Sequence, residues 1–543
     1  GCTNAPPPPL VTTEVARTEP TRLVDLKEVV VGVTSVNGGY NPHKLADQST
    51  ITTALASALL PSVFRPGPDG APVLDRNLMV SAEVTQAEPY TVTYRLRPEA
   101  SWSDSAPIAA EDFVYLWEQL REAPGAIDGA GYRLIDNISA REAGRVVEVT
   151  FDKPYPGWRS LFSALLPAHL FKDIPGGWTN VLRENYPVTG GPFAVKNRDT
   201  DRGEVLLERN DRYWEAPAAL DRIILRRGDL VGVTGALRSG YDQVALGALN
   251  AEGVTAMASL APMATMKPVP RPAVATVLLR PAGAALADIR VRSAIFALLN
   301  RPALVKAGTG GGPAAELIAN AQVLPPTATD YTPTGPVPDP TLTDGLLTQA
   351  GYTKPAGTWV SAAGAPLALA IAVPLDRPDY LDMGREVQRQ LTAAGIQSRL
   401  TTPEGEELFA ELLAPGPALP PSVTGIDIVI APQPSGGDPA TMLATRFGCA
   451  PAPEGQSRTV AANPLGFCDP VVQQVINATL SGAMPMSAAL ETIEPVLWSQ
   501  AVTVPLYQEA DVLVVRLEMS GVTAGTPFAG PFADAARWRR GPK

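Results

Sequence analysis

Residues 96–113 read Leu96-Arg-Pro-Glu-Ala-Ser-Trp-Ser-Asp-Ser-Ala-Pro-Ile-Ala-Ala-Glu-Asp-Phe113 and join two segments of different periodicity. Upstream, apolar and polar residues alternate over residues 91–96, as in a strand with one buried face. Downstream, apolar residues recur with the spacing of a buried helical stripe at Phe113, Leu116, Trp117 and Leu120. The stretch therefore predicts a strand, a loop and a helix in succession.

Further strand and helix patterns lie on both sides of this unit. Apolar or alternating runs predict strands at 27–36, 146–151, 222–227, 274–280, 367–373, 426–431 and 503–516. Helical periodicity predicts helices at 49–60, 286–301, 342–351 and 381–395, with Asp288 capping the second. The 56 prolines, spread along most of the chain, favour many short elements joined by ordered loops.

Length and composition limit the class of protein. The 543 residues suffice for roughly three to four domains of about 150 residues each. A hydrophobic content of 45% with 18% charged residues indicates a globular chain with a sizeable core. The net charge of −11 and the lack of a long basic stripe argue against nucleic acid as a partner.

The two ends of the chain carry distinct signals. Gly1-Cys2, followed by a polar stretch and Pro6–Pro9, is typical of a bacterial lipoprotein after removal of its signal. We expect Cys2 to carry the lipid and residues 1–26 to form an extended tether, the alternative being a chance cysteine at a cloning boundary. The sequence contains no run of 18 or more apolar residues, so it predicts no transmembrane helix. The basic cluster Arg537, Arg539 and Arg540 is a solvated tail or a contact for anionic lipid headgroups.

Cys449 and Cys468 lie 19 residues apart in a segment rich in proline, glycine, alanine and serine. In an exported protein such a pair is typical of a disulfide that closes a surface loop. Zinc binding is a poor alternative because the segment has no CxxC motif and two thiolates do not complete a zinc site. We therefore predict a disulfide between Cys449 and Cys468. We expect no metal site and no cofactor.

The sequence argues against an enzyme. It contains two histidines, and it lacks GxSxG, HExxH and P-loop motifs. His169 is expected to pack inside its own domain. The candidate ligand contacts are instead a polar or aromatic set in loops near glycine and proline, namely Tyr40, Asn41, His43, Tyr155, Trp158 and Trp178. Flat aromatic rings cover the C–H faces of sugars, and Asn41 would bind hydroxyls, although packing within the domain is the alternative for each.

Six segments in order resemble the family 5 bacterial extracellular solute-binding proteins, the peptide and nickel receptors of ABC importers. They are Trp102–Phe113, Val188–Phe193, Asn210–Trp214, Asp288–Ile295, Leu347–Tyr352 and Val504–Tyr507. The resemblance implies an α/β, two-lobed periplasmic-binding-protein-like fold (type II, cluster C) with an extra subdomain. It places the ligand in a cleft between lobes that close about a hinge.

The family pattern implies discontinuous domains. After the tether of residues 1–26, domain I is expected to comprise 27–60, 185–272 and 505–543. Domain II would comprise 61–184, and domain III, the second lobe, 273–504.

One position departs from the peptide receptors of this family. They often carry an Asp shortly before the distal Asp/Glu-Pro motif, where it pairs with the free amine of the peptide. Here the motif is Asp438-Pro439, and Ser435 occupies the anchor position. A buried ammonium without a carboxylate is costly, so ordinary peptide import is in doubt, although Asp438 is an alternative anchor.

Within the family, the Gly39-Tyr-Asn-Pro-His43 loop and the Leu60-Pro-Ser-Val-Phe-Arg65 segment resemble a subgroup of mycobacterial lipoproteins. That resemblance implies a role in phosphatidylinositol mannoside, lipomannan and lipoarabinomannan biosynthesis. The protein would bind a mannosylated lipid intermediate or regulate a membrane mannosyltransferase. The alternative is an oligopeptide receptor that serves an ABC permease. Either protein would be a monomer at the extracytoplasmic face of the cell membrane.

Overall fold

A computed structural model of the chain describes residues 27–413, 425–450 and 460–541. The strands are β1 (Glu28–Val33), β2 (Phe64–Pro66), β3 (Pro72–Leu74), β4 (Met79–Ala87), β5 (Tyr90–Leu96), β6 (Ile135–Arg141), β7 (Val146–Phe151), β8 (Phe193–Asp199), β9 (Glu204–Arg209), β10 (Arg222–Arg227), β11 (Val244–Gly247), β12 (Ala264–Leu279), β13 (Ala368–Ala372), β14 (Gln397–Thr401), β15 (Ile428–Pro434), β16 (Cys449–Ala450), β17 (Val460–Ala461), β18 (Thr503–Arg516), β19 (Met519–Ser520) and β20 (Arg539–Arg540).

The α-helices alternate with these strands over most of the described chain. They are α1 (Thr50–Leu59), α2 (Ala110–Leu120), α3 (Gly129–Tyr132), α4 (Ala168–Phe171), α5 (Leu230–Ser239), α6 (Ala251–Ala258), α7 (Ile289–Leu298), α8 (Arg301–Thr309), α9 (Thr343–Gln349), α10 (Pro378–Ala393), α11 (Pro439–Phe447), α12 (Pro470–Leu480) and α13 (Met486–Gln500). The carboxylate of Asp288 caps α7, as the sequence predicts, by accepting a hydrogen bond from the backbone N–H of Arg290.

A ten-stranded mixed sheet forms the frame of both lobes, in the order β14-β13-β15-β12-β18-β11-β1-β10-β9-β8. In one half β1 runs parallel to β10 and β11, and in the other β13 runs parallel to β14 and β15. The antiparallel strands β12 and β18 lie between the halves and pair along most of their length. These two strands therefore connect the lobes, and a ligand site between the lobes must lie beside them.

A second sheet, of four antiparallel strands in the order β4-β5-β7-β6, belongs to the segment inserted between α1 and β8. The helix predicted from the apolar stripe is α2, and it packs Phe113 and Leu116 with no exposed surface into the core beside this sheet. Its capping position is filled by Ala109, whose backbone N–H donates to the carboxylate of Asp112 at 3.1 Å.

The hydrophobic core follows the two halves of the large sheet. One cluster packs β13, β15 and the ends of β12 and β18 against α7, α8 and α10. The largest cluster extends from β1 and α1 through the inserted four-stranded sheet to α11 and α12. No helix in the described ranges combines the length and apolarity needed to cross a bilayer.

A disulfide joins Cys449 to Cys468, whose Cα atoms lie 5.1 Å apart. Cys449 begins the short strand β16, which pairs with β17. The predicted lipidation residue, Cys2, and the predicted tether lie outside the described residues.

Candidate functional site

A cleft of about 850 Å³ lies where the parallel strands of both half-sheets end. On one side it is lined by residues that follow β1 and β11, and on the other by residues that follow β13 and β14. The carboxyl ends of parallel strands are a common location for ligand sites in α/β proteins, because loops and helix N-termini converge there. The cleft is therefore the candidate binding site.

Four charged side chains form the floor of the cleft, and we call them the floor cluster: Arg271, Arg377, Glu509 and Asp511. Glu509 and Asp511 lie two residues apart on one face of β18, and Arg271 lies on the neighbouring strand β12. Arg377 precedes the first turn of α10. The cluster thus joins β12 and β18, the strands that connect the lobes, to the second lobe.

The floor cluster is closely paired. The guanidinium of Arg377 lies 3.0 Å from Glu509, and that of Arg271 lies 3.5 Å from Glu509 and 3.8 Å from Asp511. Tyr380 donates its hydroxyl to Glu509 at 2.6 Å, and Thr50 donates to Asp511 at 2.9 Å. Each carboxylate therefore has a cation and a hydroxyl as partners.

Burial and charge act in opposite directions on the two carboxyl groups. Burial opposes ionisation of Glu509, but the guanidiniums of Arg377 and Arg271 hold its pKa below its ordinary value. At Asp511, burial raises the pKa in spite of Arg271 and the hydroxyl of Thr50. Arg377, beside Glu509, has a pKa raised well above its ordinary value although it is partly buried.

The two lobes touch at the mouth of the cleft. Lys44 forms an ion pair of 2.5 Å with Glu406, and Gln48 donates its side-chain amide to the carbonyl of Pro432 at 3.3 Å. Gly405 allows close approach, because a Cβ atom there would lie 3.1 Å from the carbonyl oxygen of Ala46. The structure is thus one in which the lobes are closed upon each other.

The structure places Tyr40, Asn41 and His43 behind the cleft wall. Tyr40 is 1% exposed and donates its hydroxyl to the carbonyl of Val36 at 2.6 Å. Asn41 is fully buried, and its carbonyl oxygen accepts from the N–H of His43 at 3.0 Å. The neighbouring Gly39 and Lys44 line the cleft, so this predicted loop supplies the wall through other residues.

The three predicted aromatic contacts Tyr155, Trp158 and Trp178 lie in two places. Tyr155 and Trp158 are buried in the core of the inserted segment, where Trp158 packs edge-on against Phe64 with centroids 5.6 Å apart. Trp178 is partly buried, and its ring lies 6.5 Å from that of His43. None of the three lines the cleft, because their rings pack against other side chains.

Ser435 directly follows β15, where its N–H donates to the carbonyl of Pro272, the neighbour of Arg271, and Asp438 directly precedes α11. Ser435 is buried, and its hydroxyl has no hydrogen-bond partner among the described residues. Asp438 caps α11 by accepting from the N–H and hydroxyl of Thr441 at 3.1 and 2.7 Å. The hydroxyl of Tyr155 lies 2.6 Å from that of Thr441, so Asp438 and Tyr155 meet at a domain contact.

A group of potential metal ligands occurs at Glu111, Asp112 and His169, whose ligand atoms lie within 4.8 Å of one another. The Asp112 carboxylate already accepts hydrogen bonds from the backbone of Ala109 and Ala168 and from the indole of Trp102. These bonds hold the start of α4 against α2, so the carboxylate of Asp112 has a structural role.

The floor cluster was not predicted from the sequence. Its members come from positions far apart in the chain, and no local motif contains them. A signal existed in the last long strand, where Glu509 and Asp511 interrupt an apolar run. Two carboxylates on one face of a buried strand require partners, and they therefore mark a site.

Comparisons with known proteins agree with this architecture. The family described as bacterial extracellular solute-binding proteins, family 5 middle, matches residues 76–418. The probable monoacyl phosphatidylinositol tetramannoside-binding protein LpqW of Mycobacterium tuberculosis is 32% identical to this chain, over 99% of this chain and 95% of LpqW.

Solved structures show the same fold. The oligopeptide-binding protein AppA of Bacillus subtilis, in complex with a nonapeptide, has a TM-score of 0.75 at 15% identity, covering 95% of this chain and 100% of AppA. The periplasmic EDTA-binding protein EppA has a TM-score of 0.73 at 24% identity, covering 95% and 97%. With the two-lobed mixed α/β fold and the match over most of its length, the chain belongs to the family 5 bacterial extracellular solute-binding proteins.

Proposed function

We propose that the chain is a binding lipoprotein, not an enzyme, whose cleft holds the mannosylated headgroup of a phosphatidylinositol. Cys2 would anchor it at the extracytoplasmic face of the cell membrane. The observation that carries the proposal is the charge-balanced floor cluster, with two guanidiniums set against two carboxylates. The 32% identity over nearly the whole chain with LpqW, a probable monoacyl phosphatidylinositol tetramannoside-binding protein, supports it.

The floor cluster favours contact with a part of the ligand that is neutral and rich in hydroxyl groups, such as its mannose residues. A hydroxyl both donates and accepts, so it can bridge a guanidinium N–H and a carboxylate oxygen without leaving either charge unpaired. An ammonium would need a carboxylate of its own, and Glu509 and Asp511 are already paired with Arg271 and Arg377. A cleft of about 850 Å³ lies within the range of small-ligand sites, roughly 300–1,000 Å³.

In the cell we propose a role in phosphatidylinositol mannoside, lipomannan and lipoarabinomannan biosynthesis. The protein would bind a tetramannosylated intermediate, or regulate the mannosyltransferase that acts on it. A closed cleft holding a headgroup suits either role, because closure about β12 and β18 changes the surface that a membrane enzyme contacts.

The test is a calorimetric titration of the purified chain with monoacyl phosphatidylinositol tetramannoside. We expect saturable binding that Arg377→Gln weakens by roughly 10- to 100-fold, since hydrogen bonds to charged groups contribute about 1.5–3 kcal/mol. The matched control is Arg385→Ala, an exposed arginine on the same helix, which should bind as the native chain does. Circular dichroism checks that both variants are folded.

Absence of saturable binding to the native chain, together with unchanged lipoarabinomannan in a deletion strain, would refute the proposal. Equal affinities of the native chain and Arg377→Gln for the glycolipid would show that its headgroup does not bind at the floor cluster.

An oligopeptide receptor for an ABC importer is the second candidate. The observation that favours it is a set of carboxylates on the second-lobe side of the cleft, Asp376, Asp379, Asp382, Glu404 and Glu406. Carboxylates of this kind attract cationic side chains and free amines. Native mass spectrometry distinguishes the candidates: co-purified peptides favour the receptor, and their absence with glycolipid binding favours the first proposal.

A further inference from the structure

The large sheet has an edge that lies opposite the cleft, and we call it the far edge. Glu28 pairs with Arg222 and Val31 with Val244 in parallel, so β1, β10 and β11 all begin there. Val244 also pairs with Val515 of the antiparallel strand β18, which therefore ends there. The cleft lies at the other ends of β1 and β11.

Three large side chains are exposed on adjoining turns of the far edge. Tyr241 is 73% exposed, Leu517 is 59% exposed and Met263 is 36% exposed. The N–H of Leu517 donates to the carbonyl of Met263 at 3.1 Å, and that of Arg516 donates to the carbonyl of Gln243 at 2.9 Å. The backbone contacts hold the three turns together, so the exposed side chains form one patch.

Arginines surround this patch. Strand β20, which contains Arg539 and Arg540, pairs with β19 directly after the turn at Leu517. Arg238 donates to the hydroxyl of Ser259 at 3.1 Å. Within the described ranges, none of these three arginines has a carboxylate partner. This local excess of positive charge contrasts with the net charge of −11 for the chain.

The start of the described chain lies at the same edge. Arg540 donates from its guanidinium to the carbonyl of Glu28 at 2.7 Å, and Lys27 bonds through its N–H to Asp221 at 3.1 Å. The 26 residues before Lys27 include Cys2, the expected site of lipidation. The chain thus enters the fold beside the exposed patch and the arginines.

We infer that the far edge docks on an anionic lipid bilayer. Tyr241, Leu517 and Met263 would lie in the headgroup layer, where amphipathic and apolar side chains are stable. The arginines would contact lipid phosphates, and their aliphatic stems would cover apolar surface. Unpaired cations beside the point where a lipid-bearing segment joins the fold favour a bilayer over a protein partner. Docking would turn the cleft away from the bilayer, so a glycolipid would have to leave the bilayer for its headgroup to enter the cleft.

The test uses the full chain with Cys2→Ser, which cannot be lipidated, and phosphatidylcholine vesicles with or without phosphatidylinositol. We expect co-sedimentation with the anionic vesicles only. Arg539→Ala with Arg540→Ala should lower the partition coefficient by about five-fold per arginine. Leu517→Ser should also lower it. The control is Arg202→Ala with Arg385→Ala, two exposed arginines away from the far edge, which should partition as the parent does.

Hydrogen exchange on the lipidated chain gives a second readout. On anionic vesicles we expect protection at the turns that contain Tyr241 and Met263, at Arg516–Ser520 and at Arg539–Gly541, and none at the cleft loop 374–379. Equal binding to neutral and anionic vesicles, or equal losses in the far-edge and control variants, would overturn the inference. Protection that appears only when a protein partner is added would also overturn it. These outcomes are independent of the glycolipid titration.

Discussion

At the scale of single residues, His43 shows how burial sets the chemistry of a side chain. It is 8% exposed, and Nε2 lies 2.8 Å from the carbonyl oxygen of Ala164. Burial lowers its pKa from 6.5 to about 4. The unfolded chain therefore binds a proton at a pH at which the folded chain does not. The stability contributed by neutral His43 is present above pH 6.5 and is lost as the pH falls toward 4.

We predict that His43→Gln removes this dependence. Between pH 6.5 and 4, the difference in unfolding free energy between the native chain and the variant should change by about 3 kcal/mol. Taking the difference cancels the opposite slopes of buried carboxyl groups such as Asp128, whose pKa burial raises to about 7. Chemical denaturation across this pH range measures it. A constant difference, or an imidazole resonance of His43 that titrates near 6.5, would contradict the prediction.

The pair of Glu509 and Arg377 allows a double-mutant cycle. Because their side chains are 8% and 24% exposed, we expect Glu509→Gln and Arg377→Gln to show a coupling free energy of about 1–3 kcal/mol. The control cycle uses Arg95 and Glu142, which lie 3.0 Å apart with side chains 42% and 57% exposed. Solvent screens that pair, so its coupling should be close to zero. Equal coupling in the two cycles would show that burial does not strengthen the floor cluster.

At the scale of elements, α2 begins at a position with no side-chain cap. Ala109 has the extended backbone typical of an N-cap residue, but it offers no side-chain acceptor to the N–H groups of the first turn. We predict that Ala109→Ser supplies a side-chain acceptor and stabilises the helix by about 1 kcal/mol, which raises Tm by roughly 1 °C in calorimetry. The control is Ala110→Ser, one residue further and equally buried at 6%, where a hydroxyl caps nothing. A rise in both variants would mean that capping is not the cause.

Strand β12 shows where prediction from the sequence stops. The pattern predicts a strand at 274–280, but β12 begins ten residues earlier, at Ala264. Pro268 and Pro270 argue against a strand because they cannot donate to a neighbour. They are accommodated because β15 pairs only with residues 273–279, so the first half of β12 has β18 on one side and a free edge on the other. Whether one half of a strand lies at a free edge depends on pairing with strands that are distant in the sequence, and a local sequence pattern does not predict that pairing.

At the scale of the whole molecule, the sequence predicts the fold better than the site. Helical and alternating patterns gave the elements, and the family motifs gave the two-lobed arrangement. The positions of Tyr155 and Trp158 near glycine and proline leave both cleft lining and packing open, and the structure buries both residues. The floor cluster joins Arg271 and Arg377 to Glu509 and Asp511, and Arg271 meets the two carboxylates only after β12 and β18 pair. The predicted domain boundaries stay a prediction.

Closure of the two lobes depends in part on one ion pair. Lys44 and Glu406 lie 2.5 Å apart across the mouth, with side chains 6% and 31% exposed. Burial of the ammonium makes its partner necessary in the closed form, whereas the open form exposes both groups to water. Glu406→Gln should therefore destabilise the closed form by about 1–2 kcal/mol and change the open-to-closed ratio by roughly 5- to 30-fold.

Small-angle scattering of the unliganded chain measures this change as a larger radius of gyration. Glu407→Gln is the matched control, since Glu407 is the next residue in the same helical segment and has no ion pair among the described residues. The control should scatter as the native chain does. Raising the ionic strength should leave most of the difference, because a partly buried pair is screened less than an exposed one. Identical scattering from all three proteins would show that the apolar and backbone contacts at the mouth, and not this pair, hold the lobes together.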